Sequence, residues 1–316
     1  MIKIDLITGF LGSGKTTFIR KYAKHFLDKG KKICILENDF GAVNVDRMLL
    51  QDLMSDNCEI EMVSAAYDKD CHKRRFKTKL ISMGMQGFDR VIVEPSGIYD
   101  IDEFFDVIRE EPLDRWFEIG SVICIADAGL DRDMSETADF LFASQLANAG
   151  KIVLSKCQLF DEQEVEKTVA HIKSVMNRLN ISGDIDGKIL CKDWDKFTDE
   201  DIESIAESGY ELGAYEKKWI DEGKAFSSLY FMNIRMPIDV FEEKARKLIE
   251  DGSFGNIFRI KGFMPAEGGK WAELNAVRSS GHTNITVKPI ENGQEVFIVI
   301  GEDLDEKAIK DYWESK

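Results

Sequence analysis

No stretch of the 316-residue chain approaches the roughly 18 uninterrupted apolar residues that a helical membrane span requires. Excess positive charge is missing too. Against 58 acidic residues stand 42 lysines and arginines, a formal charge of −16 distributed along the whole length. A general electrostatic field of that sign disfavours nucleic acid and anionic membrane as partners, leaving room only for a local basic groove. The six cysteines contain no Cys-x-x-Cys pair, so neither a disulfide framework nor a zinc ribbon is expected. There is no internal repeat, low-complexity tract or His-rich run. The chain enters an apolar strand without a cleavable leader, from which a cytoplasmic location is expected.

What is present is an ordinary globular composition, 44% hydrophobic, sufficient for one large domain and one small one. Short apolar runs at Ile2 to Thr8, Lys32 to Leu36, Arg90 to Val93, Ser121 to Ala126 and Ile152 to Leu154 alternate with helical patterns. That alternation predicts an α/β fold, a mostly parallel sheet flanked by helices. Between Asp161 and Asn180, Val165, Val169, Ile172, Met176 and Leu179 fall on one helical face. From about Lys192 to Lys224 the composition turns acidic and polar. We place a nucleotide-binding domain over residues 1–200, a connection over 201–224 and a smaller α+β domain over 225–316. In the last, Phe226 to Asn233 alternates as a strand. A helix follows Pro237, with Asp239 and Glu242 reading as a capping box and Phe241, Ala245, Leu248 and Ile249 as its buried side. A final helix is expected from about Leu304 to Trp313.

Gly9-Phe10-Leu11-Gly12-Ser13-Gly14-Lys15-Thr16 fits G-x-x-x-x-G-K-[ST] without a mismatch, between an apolar strand and a helical stretch from Thr17 to about Leu27. In such a loop the glycines let successive N–H groups face a β-phosphate, and the helix N-terminus adds its positive dipole end. Gly12, Ser13, Gly14, Lys15, Thr16 and Thr17 are the expected phosphate contacts. Lys15 neutralises β and γ oxygens, and the Thr16 hydroxyl is placed to ligate magnesium. Glu94, delivered by Arg90 to Val93 to the sheet's C-terminal edge, is the second magnesium candidate, and Gly97 is suited to contact a γ-phosphate. Glu37-Asn38-Asp39-Phe40-Gly41, after the second strand, is the candidate switch loop. Cys34 and Cys124 sit in apolar runs as small hydrophobes, whereas Cys58, Cys71, Cys157 and Cys191 lie in more polar surroundings and raise a metal or redox question.

With these residues the chain resembles the CobW family of P-loop GTPases, associated with metal delivery, cobalamin synthesis and activation of metalloenzymes. The likeness is carried by Thr8 to Thr17, Glu37 to Gly41, Glu94-Pro95-Ser96-Gly97, and the C-terminal segments around Lys261-Gly262 and Val299-Ile300-Gly301. The resemblance implies GTP hydrolysis in the N-terminal domain and client binding or nucleotide covering in the C-terminal one. Three departures stand beside it. Where the family carries Cys-x-Cys-Cys, this chain has Met62-Val63-Ser64-Ala65-Ala66-Tyr67, so zinc or cobalt binding of the family's thiolate type is expected to be weaker. The acidic residue after the switch glycine is Ala42, leaving Glu37 as the remaining acidic ligand candidate. Asp68 to Arg75 follows the lost motif, with Cys71 and His72 as replacement ligand candidates for a transition metal, or else a charged loop leading into Phe76 to Met85.

The family's Asn-Lys-x-Asp is here Ser155-Lys156-Cys157-Gln158. An aspartate accepts from both guanine donors, whereas glutamine offers one acceptor oxygen and a competing NH2. The lost charge-assisted pairing is worth on the order of 1.5 to 3 kcal/mol. GTP therefore remains the expected substrate, with ATP or weak selectivity open, and Ser155, Lys156 and Gln158 are the base-site candidates. The expected function is slow, magnesium-dependent nucleoside triphosphate hydrolysis, with Lys15, Thr16 and Glu94 catalytic and Glu37, Asp39 and Gly41 as the switch. The nucleotide state would govern the hold on a client metalloprotein or corrinoid-dependent protein. The alternatives are a nucleotide-gated scaffold without useful hydrolysis and a small-molecule kinase, which needs an acceptor pocket.

Overall fold

The computed structural model describes residues 1–38, 47–63, 69–97, 99, 101–178, 180–181, 185–211, 226–232, 234–266, 270–279, 282–290 and 295–314. By internal contacts the chain divides into two units, Met1–Gly129 with Met134–Lys217, and Lys218–Lys316 with Leu130–Asp133. Among the described residues no helix is long and apolar enough to cross a membrane.

Strand β1 (Ile2–Thr8) is apolar at Ile4 and Leu6 on one side of its pleat and at Ile7 on the other, so both faces demand cover. The same holds along β2 (Ile33–Asn38), β4 (Arg90–Pro95), β5 (Phe117–Asp127) and β6 (Lys151–Ser155). With β3 (Cys58–Val63) and β7 (Ile189–Cys191) they form a seven-stranded, all-parallel sheet in the order β3-β2-β4-β1-β5-β6-β7. The first-unit helices are α1 (Lys15–Asp28), α2 (Arg47–Leu50), α3 (Lys69–Gly84), α4 (Ile101–Ile108), α5 (Leu113–Trp116), α6 (Glu136–Ala147), α7 (Glu162–Arg178) and α8 (Asp199–Ala206). One sheet face buries Ile4, Leu6, Cys34, Leu36, Val91 and Val93 against Phe76, Leu80 and Met83 of α3 and Phe104 of α4. The other buries Ile7, Ile33, Ile35, Ile92 and Ile125 against Phe18, Ile19 and Tyr22 of α1 and Ile202 and Ile205 of α8.

In the first unit the structure departs from the sequence reading at β3, at residues 69–75, at residues 201–206 and along α7. β3 alternates Glu59 and Glu61 with apolar residues on the sheet edge, and so offers no apolar run to detect. Residues 69–75 are not a loop but the start of α3, because His72, Phe76, Leu80 and Met83 form a buried stripe while Arg74 and Arg75 face outward. Residues 201–206 of the expected connection lie in α8, whose first turn carries Asp199, Glu200 and Asp201, the last closing a capping box with Thr198, while Ile202, Ile205 and Ala206 are buried. Residues 212–225 of that connection lie outside the described residues. In α7 the buried side includes Thr168 and Val175 beside Ile172 and Met176, with Val165 and Val169 half-buried; Leu179 lies outside the described residues.

The second unit is a five-stranded antiparallel sheet of β8 (Ser227–Met232), β9 (Asn256–Pro265), β10 (Trp271–Ser279), β11 (His282–Ile290) and β12 (Val296–Glu302), ordered β11-β10-β9-β12-β8. Helices α9 (Ile238–Glu250) and α10 (Glu306–Glu314) share a core with it: Phe241, Ala245, Leu248, Ile249, Ile309 and Trp313 meet Ile257, Ile260, Leu274, Phe297 and Val299. The capping box expected at Asp239 and Glu242 does not form. Pro237 is the N-cap with extended backbone and no side-chain cap, so Asp239 falls inside the first turn, where its charge meets the helix dipole. Lys261-Gly262 and Val299-Ile300-Gly301 lie side by side on β9 and β12. A Cβ on Gly262 would come within 2.3 Å of the Phe297 Cβ, so glycine is what lets the two strands pack there.

Candidate functional site

β1 ends at Thr8 and α1 begins at Lys15, so residues 9–14 must reverse the chain in six residues. Three glycines do this with positive φ: Gly9 at 144°, Gly12 at 74° and Gly14 at 97°. A Cβ on Gly9 would stand 2.2 Å from the Ile125 carbonyl oxygen and 2.7 Å from Ser13 Oγ. Gly14 caps α1 through its backbone alone. There is no side-chain cap and no acidic residue in the first turn, which leaves the positive end of the helix available to an anion.

Three hydroxyls around this turn are buried. Among the described residues Thr8 Oγ1, Ser13 Oγ and Ser155 Oγ have no hydrogen-bond partner, although the three residues are at most 3% exposed. Hydroxyls left in this way are able to bond to a further molecule. Lys15 is 7% exposed and its Nζ donates to the Gly9 carbonyl at 2.9 Å, folding back over the loop. Thr16 Oγ1 donates to Glu94 Oε1 at 2.8 Å. Thr17 is exposed on α1.

Parallel pairing sets Glu94 and Glu37 at the same register on β4 and β2. Both are buried, at 7% and 3% exposure, so two carboxylates share the C-terminal edge of the sheet beside the loop. β2 runs through Asn38, which puts Glu37 and Asn38 in the strand rather than in a following loop. Asn38, fully buried, holds Ser96 N–H on its carbonyl at 3.0 Å, while its side-chain amide has no hydrogen-bond partner among the described residues. Asp39, Gly41 and Ala42 lie outside the described residues. Gly97 stands against the loop: a Cβ there would be 2.9 Å from Leu11 N and 3.0 Å from Leu11 Cα.

At the far end of the sheet edge, Ser155 closes β6 and borders Gly14. Lys156 adopts a left-handed backbone with φ of 59° and pairs through Nζ with Asp127. Gln158 is exposed. Trp194, after β7, lies 3.4 Å from where a Gly14 Cβ would stand, donates from Nε1 to the Leu154 carbonyl at 3.0 Å, and packs edge-on to Phe18.

Three residues of this arrangement are missed by sequence reasoning. Asp127 accepts from Gly129 N–H at 2.9 Å as well as pairing with Lys156, and its signal was available, a carboxylate closing an apolar strand as Glu94 does. Gln145, wholly buried in α6, donates to the Gly97 carbonyl at 3.0 Å. Trp194 sits in an acidic stretch with no motif around it. For neither Gln145 nor Trp194 does the sequence hold a signal, because each reaches the site only through tertiary packing.

The cysteine and metal candidates sort differently. Cys58 is buried in β3, not in polar surroundings, and burial pushes its thiol up to about 11. Cys124, in register with Thr8, is buried and its thiol is pushed up to about 12 by desolvation, with Lys15 acting slightly the other way. His72 is buried in α3 with Nδ1 3.7 Å from Glu103 Oε1, while Cys71 beside it is half-buried. Successive helical positions point about 100° apart, and among the described residues no group of three or more His, Cys, Asp or Glu is placed to hold a metal ion. Ser64 to Asp68 lie outside the described residues.

Comparison with known proteins bears on this geometry. Residues 3–182 match the CobW/HypB/UreG nucleotide-binding domain, and residues 228–315 match the cobalamin synthesis protein CobW C-terminal domain. Among curated proteins, the chain is 32% identical over 156 residues to the zinc chaperone YeiR of Escherichia coli, covering 49% of this chain and 47% of that protein. It is 30% identical over 204 residues to the zinc chaperone YjiA of the same organism, covering 60% of each. The matched stretches thus span about half to three fifths of these relatives' lengths. A crystal structure of Zn(II)-bound YjiA GTPase from E. coli aligns over 99% of this chain and 98% of that one, at 19% identity and a TM-score of 0.39. With more than half of its length matched to the domain, the chain belongs to the CobW/HypB/UreG nucleotide-binding family and carries a CobW C-terminal domain behind it.

Proposed function

We propose that this chain is a slow, magnesium-dependent P-loop nucleoside triphosphatase, with GTP favoured over ATP, whose nucleotide state governs its hold on a client metalloprotein or corrinoid-dependent protein. The observation that carries the reading is the turn at residues 9–14, with a helix N-terminus that has no side-chain cap, a lysine folded over it and buried hydroxyls without partners among the described residues. In this reading the N–H groups of Gly12, Ser13, Gly14, Lys15 and Thr16 cradle the β-phosphate. Lys15 exchanges the Gly9 carbonyl for phosphate oxygens, a move of one flexible side chain. The hydroxyl and carboxylate of Thr16 and Glu94, already within hydrogen-bond reach, fit a hard, oxygen-ligated cation and would hold magnesium. Bound there, magnesium neutralises charge on the triphosphate. Gly97 contacts the γ-phosphate and Glu37 supports the edge beside Glu94.

Lys156, positioned by Asp127, packs its stem on the base while Ser155 and Gln158 read its edge. Turnover without a partner is expected at about 10⁻⁴ to 10⁻² per second, as for P-loop GTPases awaiting a completing residue. The relatives named zinc chaperones support a metal-handling role, with zinc or cobalt as cargo held less tightly than by a Cys-x-Cys-Cys protein. The deciding experiment is titration with non-hydrolysable GTP and ATP analogues in magnesium, followed by phosphate release under multiple turnover. Lys15→Ala should abolish both binding and turnover; a variant with unchanged affinity and rate would show that the turn is not the phosphate site. Magnesium-dependent binding without phosphate release would leave a nucleotide-gated binding module in place of an enzyme.

A further inference from the structure

Two cysteines that the proposed function does not use meet at the base end of the site. Cys157 Sγ and Cys191 Sγ are 2.8 Å apart, although 34 residues separate them in the chain. The parallel register explains the meeting: Cys191 ends β7 opposite Leu154 of β6, and Cys157 sits in the turn that leaves β6, its Sγ donating to the Leu154 carbonyl at 3.5 Å. Each cysteine belongs to a segment that frames the site. Cys157 lies between Lys156, paired with Asp127, and Gln158. Cys191 stands three residues before Trp194, whose indole N–H donates to that same Leu154 carbonyl and whose ring lies over Gly14 of the phosphate turn. A covalent bond between the two sulfurs would join the base-reading turn to the segment that packs on the phosphate turn.

We propose that Cys157 and Cys191 form a reactive dithiol that low-molecular-weight disulfides of the glutathione class oxidise to an intramolecular disulfide, and that this bond tightens nucleoside triphosphate binding. The coupling to nucleotide rests on the function proposed above; the dithiol itself does not. Cys191 is exposed and Cys157 half-buried, which sets the order of events. The Cys191 thiolate attacks one sulfur of the small disulfide, forming a mixed disulfide and expelling one small thiolate. Cys157, deprotonated as it attacks, displaces the second small thiolate from Cys191 Sγ. The two protein protons pass to the two leaving thiolates. The protein loses two electrons, the small disulfide gains them, and two small thiols are released. Burial and the neighbouring Cys191 push the Cys157 thiol up to about 12, so the exposed Cys191 is the sulfur that opens the exchange. The bond holds residues 156–158 in the arrangement already present, so the nucleotide no longer has to order that turn on binding, and preorganisation of this kind raises affinity.

The full chain, with Cys157→Ser and Cys191→Ser variants, would be treated with oxidised glutathione, blocked with a thiol alkylator, digested and mapped by mass spectrometry. The wild type should yield a peptide linking residues 157 and 191. Cys157→Ser should stop at a glutathione adduct on Cys191, and Cys191→Ser should leave Cys157 unmodified. Affinity for a fluorescent GTP analogue in magnesium should then rise three- to tenfold on oxidation and revert on reduction. Affinity for inorganic tripolyphosphate should stay unchanged, and neither variant should respond. Failure to find the 157–191 link would overturn the proposal. A link that forms while GTP affinity stays within twofold would overturn the coupling. If the link forms but the reduced protein binds no nucleotide, the nucleotide reading fails and the dithiol site stands.

Discussion

Gly97→Ala is the most direct perturbation of the turn proposed to hold phosphate, because the methyl it adds has nowhere to go. It would stand 2.9 Å from Leu11 N, 3.0 Å from Leu11 Cα and 2.8 Å from Leu11 Cδ2. Carbon contacts settle at about 3.5 to 4.0 Å, so a displacement of roughly half an ångström or more is required. The Leu11 side chain can rotate away, but its amide cannot move without moving the turn. Retreat of the other partner is resisted as well, since Gln145 holds the Gly97 carbonyl at 3.0 Å. Overpacking of this kind costs about 1 to 3 kcal/mol. If the nucleotide needs the turn undisplaced, affinity falls by a factor of about 5 to 150. Fluorescence titration with a GTP analogue in magnesium measures the loss, and a thermal melt shows how much strain persists without ligand. Gly187→Ala, whose added methyl meets nothing within 4 Å, is the control and should match the wild type in both. Should Gly97→Ala bind nucleotide within twofold of wild type and melt at the same temperature, the reasoning that places Gly97 against the phosphate turn would be refuted.

Asp127→Asn keeps an acceptor for Gly129 N–H but removes the charge that positions Lys156. Hydrogen bonds to charged groups contribute about 1.5 to 3 kcal/mol, so GTP affinity should drop by about one to two decades while tripolyphosphate binding is unaffected. Equal losses for both ligands would show that Asp127 supports the fold rather than the base site. In the second unit, Phe297 is fully buried with ring centroids 4.5 Å from Trp313 and 4.9 Å from Phe231. Phe297→Ala should destabilise by about 3 to 5 kcal/mol in urea unfolding, and a change under about 1 kcal/mol would contradict the core described for that unit.

How legible each part was depends on the range of the interactions involved. Lys15 and Thr16 could be placed at the helix start from sequence because the glycine turn is local: strand, glycines and helix start are consecutive, and backbone sterics at Gly9, Gly12 and Gly14 determine the path. The buried face of α9 was legible for the same reason, since Phe241, Ala245, Leu248 and Ile249 follow helical spacing alone. By contrast, residues 69–75 read as a loop only while the sheet beneath them is unknown. Once His72 and Phe76 have a surface to cover, the helix extends through the charged residues. Similarly, the edge strand β3 exists because β2 offers it a hydrogen-bonding partner, not because its sequence is apolar.

By itself, then, the sequence determined the α/β class and the strand, glycine turn and helix start around residues 9–16, because these rest on backbone conformation and short-range periodicity. Only the tertiary structure decided that Glu37 and Glu94 share a register, that Gln145 and Asp127 hold Gly97 and Lys156, and that Cys157 meets Cys191. Those pairings are set by strand order and by which helix covers which face. Both arise from burying two sheet faces at once, a condition on the whole chain that no local stretch of residues can express.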